Sequence, residues 1–143
     1  MHADQQTTSE VTDALHRFSD AFKRRDMGSL MSLLAPDADV TFFGTGADEE
    51  RVGSSEIQEQ FQRDWAQSDS TSIDFDHVSV SCHGQVAWVA GDATLKAAAS
   101  GKEMTFPGRI TTVMEKRDGN WLIEQWHLSV PMAGQEQGHS FPS

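Results

Sequence analysis

Arg109 and His127 stand near the far ends of a stretch, Gly108 to Pro131, in which an Asp118-Gly119 dipeptide separates two runs rich in Ile, Val, Thr and Trp. Asp-Gly tolerates positive φ, and the flanking residue types suit a pleated, half-buried surface. The stretch therefore predicts a two-strand hairpin. A guanidinium and an imidazole facing each other across that ladder are costly to bury unless something pairs them. Arg109 offers a fork of donors to a carboxylate or enolate oxygen, and Glu103 or Glu124 could occupy the same fork as an ion-pair partner. His127 can serve as a general base, as a donor to a ligand, or as a core histidine satisfied by a neighbouring strand. Asp92, in VAWVAGDATL, shares a strand face with Trp88 and Ala90 under simple alternation. A carboxylate beside an apolar ring has its pKa raised toward a range useful for proton abstraction. A bend at Gly91 would turn it to solvent instead.

Register decides which of these groups meet. A plain two-residue turn at Asp118-Gly119 places Ile110, Thr112 and Met114 on the face of His127, whereas a glycine bulge places Arg109, Thr111 and Val113 there. The second arrangement gathers the polar residues of both strands on one side, and it is the reading adopted. Other motifs carry less. Asp74, Asp76 and His77 are metal-ligand types, but adjacent strand positions point to opposite faces, so no metal site is expected. Cys82 has no Cys-x-x-Cys partner, no Gly-x-Ser-x-Gly elbow exists, and Gly44-Thr45-Gly46 is followed by acids with no Lys to cradle a phosphate.

The elements that must position these residues follow from periodicity. Val11, Leu15, Phe18 and Phe22 recur at helical spacing over residues 9 to 24, with Thr7 and Glu10 as a candidate capping box. Asp26 caps a short second helix carrying Leu30, Met31, Leu33 and Leu34, which Pro36 stops. DADVTFF reads as a strand and GTGADEERVG as a loop. Ser55 with Gln58 suggests a third capped helix bearing Ile57, Phe61 and Trp65 on one face. From Ile73 the period changes to two, with strands near 73 to 82, 85 to 99, 102 to 117 and 120 to 130. Helices first and an antiparallel meander afterwards predict an α+β fold with a curved sheet wrapping the helices. Residues 1 to 8 read as a disordered N-terminus, 9 to 131 as the domain, and MAGQEQGHSFPS, 132 to 143, as a polar tail.

Arg109-x-Thr111, Trp121-x-Ile123 and His127-x-Ser129, in that order around the turn, resemble the final hairpin of the SnoaL-like branch of the nuclear transport factor 2-like superfamily. The association domain of calcium/calmodulin-dependent kinase II ends similarly, and a weaker likeness extends over residues 9 to 131. The resemblance implies a cystatin-like cone, with N-terminal helices packed in the concave face of the sheet and a pocket at its open end. It also implies a homodimer paired through the outer face. Ketosteroid isomerase, in this superfamily, uses an Asp of the first strand and a Tyr of the first helix. This chain has no Tyr and places Phe42 where that Asp would stand, so that mechanism is not carried over. SnoaL polyketide cyclases draw acid-base residues from later strands, where Asp92 and His127 are the counterparts. The expected site thus has His127 and Asp92 for proton transfer, and Arg109, Thr111, Gln125, His127, Trp88, Trp65 and Phe42 around the ligand. The expected ligand is a small apolar, carbonyl- or carboxylate-bearing molecule, bound without a cofactor. Binding is the primary reading, with a cofactor-independent cyclase or isomerase as the alternative.

Composition bounds the partners. The 143 residues suit one domain. A net charge of -11, with 22 acids against 11 bases, argues against nucleic acid, which needs a positive face. No apolar run approaches the roughly 18 residues of a membrane span. Nothing in MHADQQTTSE resembles a secretory signal, and a single cysteine fits a reducing compartment, so a cytoplasmic location is expected.

Overall fold

The computed structural model describes residues 1–143. Helix α1, Gln5–Arg24, starts at Asp4, whose carboxylate accepts from the Thr7 N–H at 2.7 Å. The cap therefore lies upstream of the expected Thr7–Glu10 box, and Glu10 is free to accept from Lys116 Nζ at 3.1 Å and Trp121 Nε1 at 2.9 Å. Val11, Ala14, Leu15, Phe18 and Ala21 form its buried stripe. Arg25 ends the helix in the left-handed region at φ 58°, and its guanidinium donates to the Trp65 and Ser68 carbonyls at 2.7 and 2.8 Å. Those two bonds tie the end of α1 to the end of α3 and satisfy carbonyls that a helix terminus leaves open. Helix α2 is one short turn, Met27–Met31, capped by Asp26 as its sequence predicts. Helix α3, Ser54–Ala66, begins after Gly53 with no side-chain cap; the Ser55–Gln58 signal is not used.

Six strands form one sheet in the order β2-β1-β6-β5-β4-β3. β1 is Thr41–Phe43, β2 Glu50–Val52, β3 Ser70–His83, β4 Val86–Ala99, β5 Lys102–Arg117 and β6 Asn120–Ser129. The last four make the expected antiparallel meander. β1 lies parallel to β6, with Phe42 opposite Trp126, and β2 pairs back onto β1. β2 falls in the segment expected to be loop, because the Gly44–Glu49 turn is short enough to fold the chain back on itself. Residues 1 to 3, assigned above to a disordered end, run beside β3: Ala3 N–H bonds Val80 O at 3.1 Å and Cys82 N–H bonds Met1 O at 2.9 Å. The sheet bends where β3 shifts register between Asp76 and Ser79, with His77 at φ 49°. Gly91 permits that bend, since a Cβ there would lie 2.8 Å from the Val78 Cα.

The helices fill the concave face, and 24 buried apolar residues make one core. Its centre is aromatic: Trp126 stacks on Phe18 at 4.4 Å between ring centres and on Phe42 at 5.4 Å, with Phe61 edge-on to Phe42 at 5.9 Å. Offset-stacked and edge-to-face pairs of this kind add about 0.5–1.5 kcal/mol each beyond burial alone. No helix is long and apolar enough to cross a membrane. Residues 132 to 143 follow β6 without regular structure, with Met132 and Phe141 exposed.

Candidate functional site

A cavity of about 280 Å³ opens beside the aromatic stack, walled by Phe18, Phe22, Phe42, Trp126, Leu95 and Leu128. Each wall residue comes from an element whose apolar face the core already demands: α1, β1, β4 and β6. Its polar lining includes Glu49 on the β1–β2 turn, Asp64 and Ser68 at the end of α3, and Thr71 and Ser72 at the start of β3. An apolar cavity of about 150 Å³ takes a benzene. By that scale this one accommodates a substituted ring or two small fused rings.

Asp64 is the electrostatic feature of the cavity. Loss of water pushes its carboxyl from the usual 3.8 up to about 6; the Gln60 hydrogen bond pulls it back, and the Glu49 charge raises it further. Gln60 Nε2 donates to Asp64 Oδ1 at 2.7 Å and to Glu49 Oε1 at 3.2 Å, while Gln60 Oε1 accepts from Arg51 Nε at 3.0 Å. Glu49 has further partners: Arg63 Nη2 at 3.2 Å and the Gly46 N–H at 2.8 Å. The two carboxylates therefore differ in support. Glu49 has three donors, whereas Asp64 is largely desolvated with one, and it is Asp64 whose proton is held more tightly.

The β5–β6 register brings Thr111 opposite His127, Arg109 opposite Ser129 and Val113 opposite Gln125. Arg109, Thr111, Gln125 and His127 thus share a face, as expected, but by a different device. The turn has two residues, Asp118 at φ 49° and Gly119 at φ 81°, and the register shifts midway at Glu124. That shared face is the convex, exposed one. Ile110, Thr112, Met114, Trp126 and Leu128 take the buried face. Arg109 Nη2 donates to Val130 O at 3.3 Å, and His127 rests edge-on against Phe43 at 5.3 Å between ring centres. Asp92 is exposed opposite Arg109 in register, and Trp88 is half-buried on the same outer face. Of the expected ligand residues Phe42 alone walls the cavity. Trp65 packs on Phe22 and Phe61, and its Nε1 is buried with no hydrogen-bond partner. Asp64, Glu49 and Gln60 were missed by reasoning that sought polar chemistry on the hairpin. The signal for Asp64 is helical: it lies seven residues after Ile57 and three after Phe61, on the apolar stripe of α3.

This arrangement of helices in a curved sheet has close counterparts among known folds. A candidate dehydratase of the nuclear transport factor 2-like family from Streptomyces avermitilis superposes with a TM-score of 0.84 at 19% identity, covering 91% of this chain and 100% of that one. A nuclear transport factor 2-like superfamily protein from Salmonella enterica gives 0.83 at 19%, covering 97% and 100%. A candidate calcium/calmodulin-dependent protein kinase II association domain from Xanthomonas campestris gives 0.76 at 23%, covering 92% and 90%. No curated protein sequence matches the chain. The sequence model of the SnoaL-like domain matches residues 11–133. The chain belongs to the SnoaL-like domain family.

Proposed function

We propose that this protein binds a small, largely apolar ring compound in the aromatic cavity and presents the Asp64 carboxyl to an oxygen of that compound. The observation that carries the reading is Asp64 itself, a wall residue whose burial holds its pKa near 6, where a proton can be kept or released close to neutrality. A few polar groups converging on an apolar cleft are what a small-molecule site requires. A second reading, proton-transfer catalysis of the isomerase, cyclase or dehydratase type, is favoured by the same pKa, which suits general acid-base work. The dehydratase description of the Streptomyces avermitilis relative agrees with it. We further propose that a second copy of the chain covers the convex face, where Trp88, Val86 and Phe43 are incompletely buried among polar neighbours.

A thermal-shift screen of cyclic ketones, phenols and lactones tests the binding reading. A ligand at a hundred times its Kd contributes about 2.7 kcal/mol of stability. Ala97→Trp, which fills the cavity wall, should abolish the shift. A ligand that stabilises the filled variant equally binds elsewhere and defeats the reading. Catalysis needs turnover of that ligand that disappears in Asp64→Asn while binding survives.

A further inference from the structure

We infer that Gln60 is a positioning residue that makes Asp64 a one-sided proton donor, so that the cavity selects neutral carbonyl compounds over carboxylates; this rests on the cavity being the ligand site. The amide of Gln60 has one orientation open to it. Its oxygen accepts from the Arg51 guanidinium at 3.0 Å, so both amide hydrogens point to carboxylates, Asp64 Oδ1 at 2.7 Å and Glu49 Oε1 at 3.2 Å. A flipped amide would set its donors against Arg51 and its acceptor against two acids.

An N–H donor occupying Oδ1 leaves that oxygen as an acceptor. When Asp64 is protonated, the proton must then sit on Oδ2, which no protein group bonds. The charged groups around it are Glu49 from the β1–β2 turn, Arg51 from β2 and Arg63 from its own helix. Arg51 is engaged by Gln60, and Arg63 by Glu49 and Asp48, the latter at 2.7 Å. Neither arginine lines the cavity, whereas Glu49 does and sets its carboxylate in the wall beside Asp64. A neutral carbonyl oxygen can accept from Oδ2–H. A carboxylate ligand would meet the Glu49 charge and, above neutrality, an ionised Asp64 as well.

The test pairs a direct titration with a ligand series. The Asp64 carboxyl midpoint is read by carbon NMR in the wild type, Gln60→Met and Gln60→Leu, both uncharged and without a donor; two variants guard against one that does not fold. Both should raise the midpoint, because the bond they remove is the one that stabilises the ionised form. An unchanged midpoint in a folded variant overturns the positioning role. Binding of 1-tetralone, tetralin and 1-naphthoate is then followed by calorimetry from pH 5 to 8. 1-Tetralone should weaken roughly fivefold to tenfold as Asp64 ionises, the scale of one hydrogen bond. Tetralin should be insensitive to pH, and 1-naphthoate should bind more weakly than 1-tetralone throughout. If 1-naphthoate binds as well as 1-tetralone, or tetralin shows the same pH dependence, the selectivity is refuted while the cavity reading stands. If none of the three binds at any pH, the cavity reading itself fails, and the NMR midpoints still judge Gln60.

Discussion

Replacing Glu124 with Gln should remove most of the pH dependence of stability that the hairpin carries between pH 5 and pH 8. Glu124 is the extra residue where β6 shifts register on β5, and its side chain turns toward Asp37, Glu115 and Arg117. Arg117 Nη2 lies 2.8 Å from both Glu115 and Glu124, and it also pairs with Asp37. The three carboxylates offer oxygens within 4.8 Å of one another, with one guanidinium among them. One positive charge cannot hold three negative ones so close, so one acid keeps its proton. Burial first, then Glu115 and Asp37, push Glu124 from the usual 4.5 up to about 7, whereas Arg117 holds Asp37 below its usual value.

The sign follows from the direction of each shift. The folded state holds the Glu124 proton more tightly than the unfolded chain, so its stabilisation is complete below pH 4.5 and is lost as pH rises through about 7. Asp37 acts in the opposite sense, but only in strong acid, below the usual carboxylate range. At about 1.36 kcal/mol per pKa unit the Glu124 gap corresponds to roughly 3 kcal/mol. The side chain keeps 21% of its surface in water, so about 1–3 kcal/mol is the expected size after screening. At roughly 3 °C per kcal/mol for a domain of this length, Tm of Glu124→Gln relative to wild type should rise by about 3–9 °C between pH 5 and pH 8. Asp64 titrates in both proteins and cancels in the difference. Parallel Tm–pH curves for the two proteins would refute the shared-proton account of this cluster.

Gly91→Ala should cost about 1–3 kcal/mol, the scale of overpacking, because the new methyl meets backbone and side chain of Val78 at 2.8 Å. A melt followed by circular dichroism that is unchanged would mean that the bend at His77 does not depend on this glycine. Arg109→Ala and His127→Ala, exposed on the convex face, should each shift monomer stability by no more than about 0.5 kcal/mol and leave cavity binding intact. A ligand that binds within the cavity and is lost in either variant would show that the hairpin's outer face reaches the site. Light scattering of the wild type should give a dimer mass at micromolar concentration; a monomer mass removes the proposed pairing of convex faces.

Much of the fold was legible because its signals are local. Helical spacing of Val11, Leu15, Phe18 and Phe22 placed α1, the Asp26 cap placed α2, and Asp118-Gly119 placed the final hairpin. What local pattern does not carry is a register shift inside a strand. Nothing in NWLIEQWHLS marks Glu124 as the extra residue, since its side chain is held by Asp37 and Arg117, distant in sequence or on another strand. β2 was missed for another reason. Its turn is closed locally, by the Glu49 carboxylate accepting from the Gly46 N–H and by the Glu49 N–H donating to Gly46 O, and the acid- and glycine-rich composition of GTGADEERVG masks a three-residue strand.

The expected ligand residues of the hairpin lie on the face away from the cavity for a different reason, and that one was avoidable. Grouping Arg109, Thr111, Gln125 and His127 on one face was right, yet the grouping was taken as a sign of a pocket. The complementary face reads Ile110, Thr112, Met114, Trp126 and Leu128, and burying it removes far more apolar surface from water than burying the first. Of two faces of one hairpin the more apolar goes inside, so a gathering of polar residues on a strand points first to solvent. The informative anomaly is the reverse case, a lone acid on a stripe that must be buried. Asp64, between Phe61 and Trp65 on α3, is that case: the helix cannot bury its rings without carrying the carboxyl in with them. Gln60, one turn earlier on the same stripe, supplies the single hydrogen bond that keeps the burial tolerable.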